Sequence, residues 1–199
     1  MTNLLIASVG GQGGLTLSRV IASAALKEGK RVIVGETLGM SQRGGSVHVY
    51  IRLGERAYSP LFSPGEADIV LGLEPVETLR ALKYIGKHTL VVLNTRPIHT
   101  ITTLLGLEAY SSIEEVIGRI KNRSKKVLAV NSYEECVKLN FPKGVNMHVL
   151  GVAVGITGVL RPETIKAVIR ELLKYPQKNL EIFERGLALG KEISRSIMG

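Results

Sequence analysis

Short apolar runs alternate along this chain with stretches whose apolar residues recur every three or four positions, the signature of strands followed by helices. Leu4 to Val9 reads as a first strand. It enters the turn Gly10-Gly11-Gln12-Gly13-Gly14, after which Leu15, Leu17, Val20, Ile21, Ala24 and Ala25 share one helical face as far as Lys27, with Gly29 as the stop. Arg31 to Gly35 is a second strand. Ser46 to Leu53 alternates strictly, which predicts one buried and one more exposed face, as in a sheet-edge or antiparallel strand. Ala67 to Leu73 and Leu90 to Asn94 are continuous apolar runs on either side of a helical segment, Pro75 to Tyr84, as in a buried βαβ crossover. Lys126 to Val130 is the last strand. Beyond it, Asn146 to Ile156 is small and apolar all round and reads as a buried helix, whereas Pro162 to Leu173 and Leu180 to Ile197 are amphipathic. The expected fold is α/β: a mainly parallel, Rossmann-like sheet flanked by helices, with an antiparallel edge strand. Residues 1–199 form one domain, without repeat, low-complexity tract or linker.

Composition narrows the function classes. With 45% hydrophobic and 22% charged residues and only 7 prolines, the chain has the makings of a packed core. The start, Met1-Thr2-Asn3, lacks a basic signal-peptide region, and no apolar run is long enough to span a bilayer; a cytoplasmic location and no membrane partner are expected. Cys136 is the single cysteine, which leaves no intrachain disulfide, no redox pair and no ligand set for an iron–sulfur cluster. His48, His88, His99 and His148 lack close helical pairing, so no metal is assigned. The formal charge of +9 is dispersed. Its densest stretch, Arg119 to Lys126, falls between a helical pattern and a strand, and with 3 Phe, 6 Tyr and no Trp there is little surface for stacking bases; a nucleic-acid partner is not expected.

Two glycine segments carry the candidate chemistry. A turn such as Gly11-Gln12-Gly13-Gly14 brings backbone N–H groups and a helix N-terminus up to an anion without Cβ obstruction. Thr16 stands where the dinucleotide fingerprint has its last glycine, while Glu36 stands where that fold holds a ribose. Three readings therefore stay open: a tight structural turn, an anion or subunit contact, and a stand-alone NAD(P)-binding oxidoreductase. The second segment, Gly39-Met40-Ser41-Gln42-Arg43-Gly44-Gly45-Ser46, couples a fixed cation to a flexible backbone. Arg43 could fork onto a phosphate or carboxylate, with Gly44 and Gly45 allowing close approach; a solvated turn is the alternative. Neither segment places a base beside Ser8, Ser41 or Ser46, which argues against a hydrolase.

Taken together, Val9 to Gly14, Gly39 to Val47, Ser59-Pro60, Gly65 to Asp68, Leu73 to Glu77 and Asn94-Thr95 resemble, in order and spacing, the beta subunit of indolepyruvate:ferredoxin oxidoreductase. Asn146, Asn179, Phe183 and Gly186 extend the resemblance into the C-terminal half. The pattern is shared with gamma subunits of pyruvate and 2-oxoglutarate:ferredoxin oxidoreductases, the alternative assignment; the Gly-Met-Ser-Gln-Arg-Gly-Gly form is more similar to the indolepyruvate branch.

The resemblance implies oxidative decarboxylation of an aryl pyruvate, with coenzyme A and ferredoxin, to an acyl-CoA, carbon dioxide and reduced ferredoxin. It also implies that this chain alone binds no cofactor and is inactive by itself. Thiamine diphosphate, Mg2+ and the 4Fe-4S clusters then belong to the alpha (large) subunit, coenzyme A is a co-substrate, and ferredoxin is an indirect partner. In isolation a homodimer is expected. On this reading no residue is a catalytic acid or base. Arg43, Gln42, Gly44, Gly45 and Ser46, with Glu36 and Glu74 at strand ends, form a wall of the partner's active site or of the coenzyme A path, and Gly11 to Gly14 make an anion or subunit contact.

Overall fold

The computed structural model describes residues 1–38, 45–55, 57–98 and 110–198. Its centre is the first apolar run: β1 (Thr2–Val9) is buried from Asn3 onward because it is flanked by strands on both sides and helices on both faces. Six strands share one sheet in the order β2-β3-β1-β4-β5-β6, where β2 is Val32–Leu38, β3 Ser46–Leu53, β4 Ala67–Gly72, β5 Ile85–Asn94 and β6 Val127–Val130. β1, β4, β5 and β6 pair in parallel. The antiparallel edge of the sheet is built from two strands: β3 runs against both β1 and β2, and β2 takes the outermost place.

Alternation in β3 sends Val47, Val49, Ile51 and Leu53 into the larger core, while Ser46, His48 and Arg52 face the other side. Tyr50 is the exception on that side, buried against Phe62 and Tyr84 at ring-centroid distances of 5.7 and 5.4 Å. β5 begins at Ile85, earlier than the apolar run suggests. The polar stretch Gly86-Lys87-His88 is absorbed by a register shift against β4, and Thr89 closes it by accepting from Gly86 N at 2.8 Å and donating to the Ala67 carbonyl.

Helices α1 (Gly14–Lys27), α5 (Val145–Thr157), α6 (Pro162–Leu172) and α7 (Pro176–Met198) pack on one face around Leu17, Ile21, Met147, Ile169 and Phe183. α2 (Pro75–Arg80) and α3 (Ile113–Lys121) cover the other with Ala81, Val116 and Ile120. The short α4 (Ser132–Lys138), capped by Asn131, was not marked by the apolar pattern because only Ser132 and Cys136 of its residues are buried. The all-apolar α5 is buried as its composition predicts and lies directly against α7.

Candidate functional site

The glycine turn is held by its neighbours before any ligand is considered. Gln12 braces it from inside: its Oε1 accepts from Val9 N at 2.8 Å and its Nε2 donates to the Leu73 carbonyl at 2.9 Å. The Leu73 carbonyl also accepts from Asn94 Nδ2 at 3.0 Å, so one backbone oxygen ties the ends of β1, β4 and β5 together. Gly11 and Gly13 adopt φ of +100° and +80°. Gly14 packs against Ser8, and Asn146 of α5 donates to the Gly13 carbonyl at 3.1 Å. No side chain caps α1, and its first turn carries no acid, which leaves the positive end of the helix dipole open.

That helix end opens into a cleft of about 890 Å3 at the carboxyl ends of β1 and β5, where open α/β sheets place their ligands. Lys143, Lys174 and Arg96 stand around it together with Phe141 and Tyr175, and its described lining holds no Asp or Glu. Arg96 lies over the Tyr133 ring at 3.4 Å, and none of the three cations is in an ion pair among the described residues. Asn94, 2% exposed, also lines the cleft, and its Oδ1 is the one side-chain polar atom shut off from solvent and without a hydrogen bond among the described residues. The cleft thus offers positive charge for an anion and an unused acceptor for an N–H or O–H, with apolar and aromatic walls.

Of the second glycine segment, Gln42, Arg43 and Gly44 lie outside the described residues, as does His99. Gly45 and Ser46 join the segment to the first turn: Gly10 N donates to the Gly45 carbonyl at 2.8 Å. Ser46, however, turns to the opposite face. Its hydroxyl bonds to the buried carboxylate of Glu77, which also accepts from Arg80 at 2.6 Å and lies 3.8 Å from His48 Nε2. Burial holds His48 below the usual histidine range against the pull of Glu77.

The two acidic residues expected at strand ends are not among the described residues that line this cleft. Glu36 lies within β2, exposed, opposite Val49 and so one strand removed from Ile6 of β1. At about 4.8 Å per strand, roughly 10 Å of sheet separates it from the first strand. The reversed β3 sits where a dinucleotide fold would put β2 beside β1, and this overturns the ribose-binding expectation. Glu74 is 1% exposed and works as a structural hub: it caps α2 through Glu77 N at 2.8 Å, accepts from Ile98 N at 3.3 Å and takes the Tyr110 hydroxyl, whose pKa burial and this carboxylate push upward. Sequence reasoning did not single out Arg96, Lys143 or Lys174 because lysines and arginines in loops carry no local signature. Asn94 was legible as a polar residue closing an apolar strand and as part of the family resemblance, but not as an unpaired acceptor.

Cysteine-ligated clusters do not fit this chain. Cys136 is alone and buried, which pushes its thiol up to about 12, and the described residues contain no group of three His, Cys, Asp or Glu able to hold a metal ion. No described helix is long and apolar enough to cross a membrane.

Residues 3–189 match the family model described as pyruvate ferredoxin/flavodoxin oxidoreductase. An indolepyruvate oxidoreductase subunit IorB of Archaeoglobus fulgidus is 38% identical over 189 residues, covering 94% of this chain and 92% of the relative. The same subunit of Pyrococcus horikoshii is 38% identical over 197 residues, 96% of each chain. The common gamma subunit of pyruvate/ketoisovalerate oxidoreductases of Thermococcus kodakarensis is 26% identical over 81% of both. In fold, the gamma subunit of a keto/oxoacid ferredoxin oxidoreductase from Geobacter sulfurreducens superposes with a TM-score of 0.70 at 16% identity, over 96% of this chain and 99% of that one. A 2-oxoglutarate:ferredoxin oxidoreductase from Magnetococcus marinus, solved with 2-oxoglutarate, coenzyme A and succinyl-CoA, gives 0.71 at 19% identity, this chain corresponding to 31% of its length. On the strength of the family match along nearly its whole length and of these relatives, the chain belongs to the pyruvate ferredoxin/flavodoxin oxidoreductase family.

Proposed function

We propose that this chain is the small subunit of an indolepyruvate:ferredoxin oxidoreductase and that its glycine-turn cleft forms the wall along which coenzyme A reaches the large subunit's active site. The observation that carries this reading is the cleft itself: an uncapped helix N-terminus, three cations without ion pairs and no carboxylate in the lining, among the described residues, at the carboxyl ends of the strands. Phosphates of the coenzyme suit Lys143, Lys174 and the α1 amides, and Asn94 Oδ1 suits an amide or amino group of the same ligand.

The carbon chemistry and electron transfer belong, on this reading, to thiamine diphosphate, magnesium and iron–sulfur clusters in the large subunit. This chain contributes binding, orientation and exclusion of water. It is inactive alone, and ferredoxin meets the assembly through the partner. Arg43 and Gln42 belong, on this reading, to the same wall. The higher identity to IorB chains, 38% against 26% for the pyruvate/ketoisovalerate subunit, favours an aryl pyruvate as the oxoacid.

The test is an anaerobic purification of the tagged chain from its own cells. Recovery of a large iron-containing subunit, thiamine diphosphate and ferredoxin reduction dependent on both indolepyruvate and coenzyme A supports the reading; recovery of the chain alone with bound dinucleotide overturns it. In the reconstituted complex, replacing Lys143 and Lys174 together by alanine should raise the KM for coenzyme A about tenfold while leaving the KM for the oxoacid unchanged.

A further inference from the structure

At the sheet edge away from β2, β6 is the terminal strand and pairs with no strand on its outer side among the described residues. Thr95 N donates to the Val130 carbonyl at 3.0 Å and Val91 N to the Lys126 carbonyl at 2.8 Å, so the even-numbered residues spend their backbone groups on β5. The N–H and C=O of Ala129 between them point outward, and Ala129 is exposed. Beside this edge lies a cleft of about 570 Å3 between β6 and α7, with apolar walls from Leu128, Val130, Leu189 and Ile193.

His148 lines the same cleft although it is only 2% exposed. Its Nδ1 is 2.9 Å from the hydroxyl of Ser132, itself fully buried, and that hydroxyl has no other partner among the described residues. The satisfied arrangement is therefore donation from Ser132 to Nδ1, which puts the ring proton on Nε2. Nε2 then presents a donor with no partner among the described residues. Arg185 lines the cleft with Glu135 and Glu192, is in electrostatic contact with His148, and forms no ion pair among the described residues.

We propose that this edge and cleft receive an extended segment of the large partner subunit, which adds as a strand against Ala129 and places a hydrogen-bond acceptor on Nε2 of His148. The proposal rests on the reading that the chain works docked to a large subunit. The occupant is a polypeptide because Val127 and Ala129 each turn an N–H and a C=O outward, a repeat at every second residue that an extended backbone matches with paired bonds. Alternation along that strand turns every second side chain toward the α7 side, where the apolar walls and the buried imidazole lie.

The experiment compares the wild-type complex with Ala129→Pro, which removes the outward N–H and fixes φ at that residue while sparing the groups bonded to β5. Ala129→Ser is the control. In the co-expressed complex, the proline variant should lose at least tenfold in affinity for the large subunit, the serine variant should not, and the melting temperature of the isolated small subunit should match wild type. Independently of any variant, the amides of Val127 and Ala129 should exchange hydrogen rapidly in the isolated chain and become protected in the wild-type complex. His148→Leu should weaken the complex and His148→Gln, which keeps a donor, should retain more of it. Wild-type affinity for the proline variant with no added protection in the complex overturns the proposal and leaves the functional reading standing. Failure of the wild-type chain to bind any large subunit overturns both. Loss of self-association alone in the proline variant assigns the edge to a second copy of this chain and likewise overturns it.

Discussion

Two regions of this molecule use glycine for opposite reasons. Where α5 crosses α7, Gly151 and Gly155 of one helix and Gly186 and Gly190 of the other remove the Cβ atoms that would otherwise hold the backbones apart. A Cβ on Gly155 would stand 2.6 Å from the Leu187 carbonyl oxygen, and one on Gly186 would fall on the carbonyl oxygen of His148. At the strand-to-helix turn, Gly11 has nothing within 4 Å of such an atom and is there for its φ of +100°. Gly13 combines both, with φ of +80° and Asn146 Nδ2 at 2.6 Å. Composition counts all of these alike. The structure separates a packing seam from a backbone conformation that faces a cleft.

The largest effect should follow from closing the seam. Gly186→Ala puts a methyl group against backbone on α5 that cannot swing aside, and should destabilise the chain by about 3 kcal/mol or more, lowering the melting temperature by about 6–12 °C. A change within about 2 °C in thermal unfolding would mean that the two helices can part without loss, and the contrast with the turn would collapse.

Gly13→Ala should cost less, about 2 kcal/mol, because a side chain amide can move where a carbonyl of a buried helix cannot, while the left-handed backbone still penalises a Cβ. Its stability loss should be accompanied by weaker coenzyme A binding in the complex, since Asn146 no longer holds the Gly13 carbonyl. Gly186→Ala in the same assay should lose stability without a selective change in the KM for coenzyme A. Equal KM effects from both would merge the two classes of glycine into one.

How much of this was legible in the sequence differs between the regions for the same physical reason. The apolar runs and helical periodicity place β1, α1, α5 and the parallel core because burial demands a local pattern. The place of β2 beyond the reversed β3 is set by pairing partners distant in the chain, so Glu36 could look like a ribose ligand from its position after a strand. Glu74 looked like a cleft residue for a related reason. Its partners Ile98 and Tyr110 lie 24 and 36 residues further along the chain, and no local pattern announces a carboxylate that serves as a hub. The glycine turn was visible. The cations of its cleft, drawn from three separate connecting segments, were not.

Acid should strain the seam further. Burial, together with the positive charge of Arg185, holds His148 below its ordinary value of 6.5, against the opposing pull of Glu135. The unfolded chain therefore takes up the proton first, and His148 contributes stability that is full above about pH 6.5 and declines as the pH falls below it. His48, likewise lowered by burial, acts in the same direction. Denaturant unfolding between pH 7.5 and 5 should show this fall, and His148→Gln should reduce its slope. An unchanged slope in that variant would locate the acid sensitivity elsewhere, leaving α5 and α7 joined by packing alone.

The smallest effect is expected at Gly11, and it is the most direct test of the distinction. Because a Cβ there meets open space, Gly11→Ala should cost only the backbone penalty, about 1–2 kcal/mol, with no cavity or clash to add to it. Asparagine tolerates the left-handed region better than alanine although it is larger, so Gly11→Asn should be the milder substitution in thermal unfolding. At a packed glycine the order reverses, since size is what the seam excludes. Finding alanine milder than asparagine at Gly11 would show that the turn, too, is a site of close packing, filled in the assembled enzyme by something this chain does not itself supply.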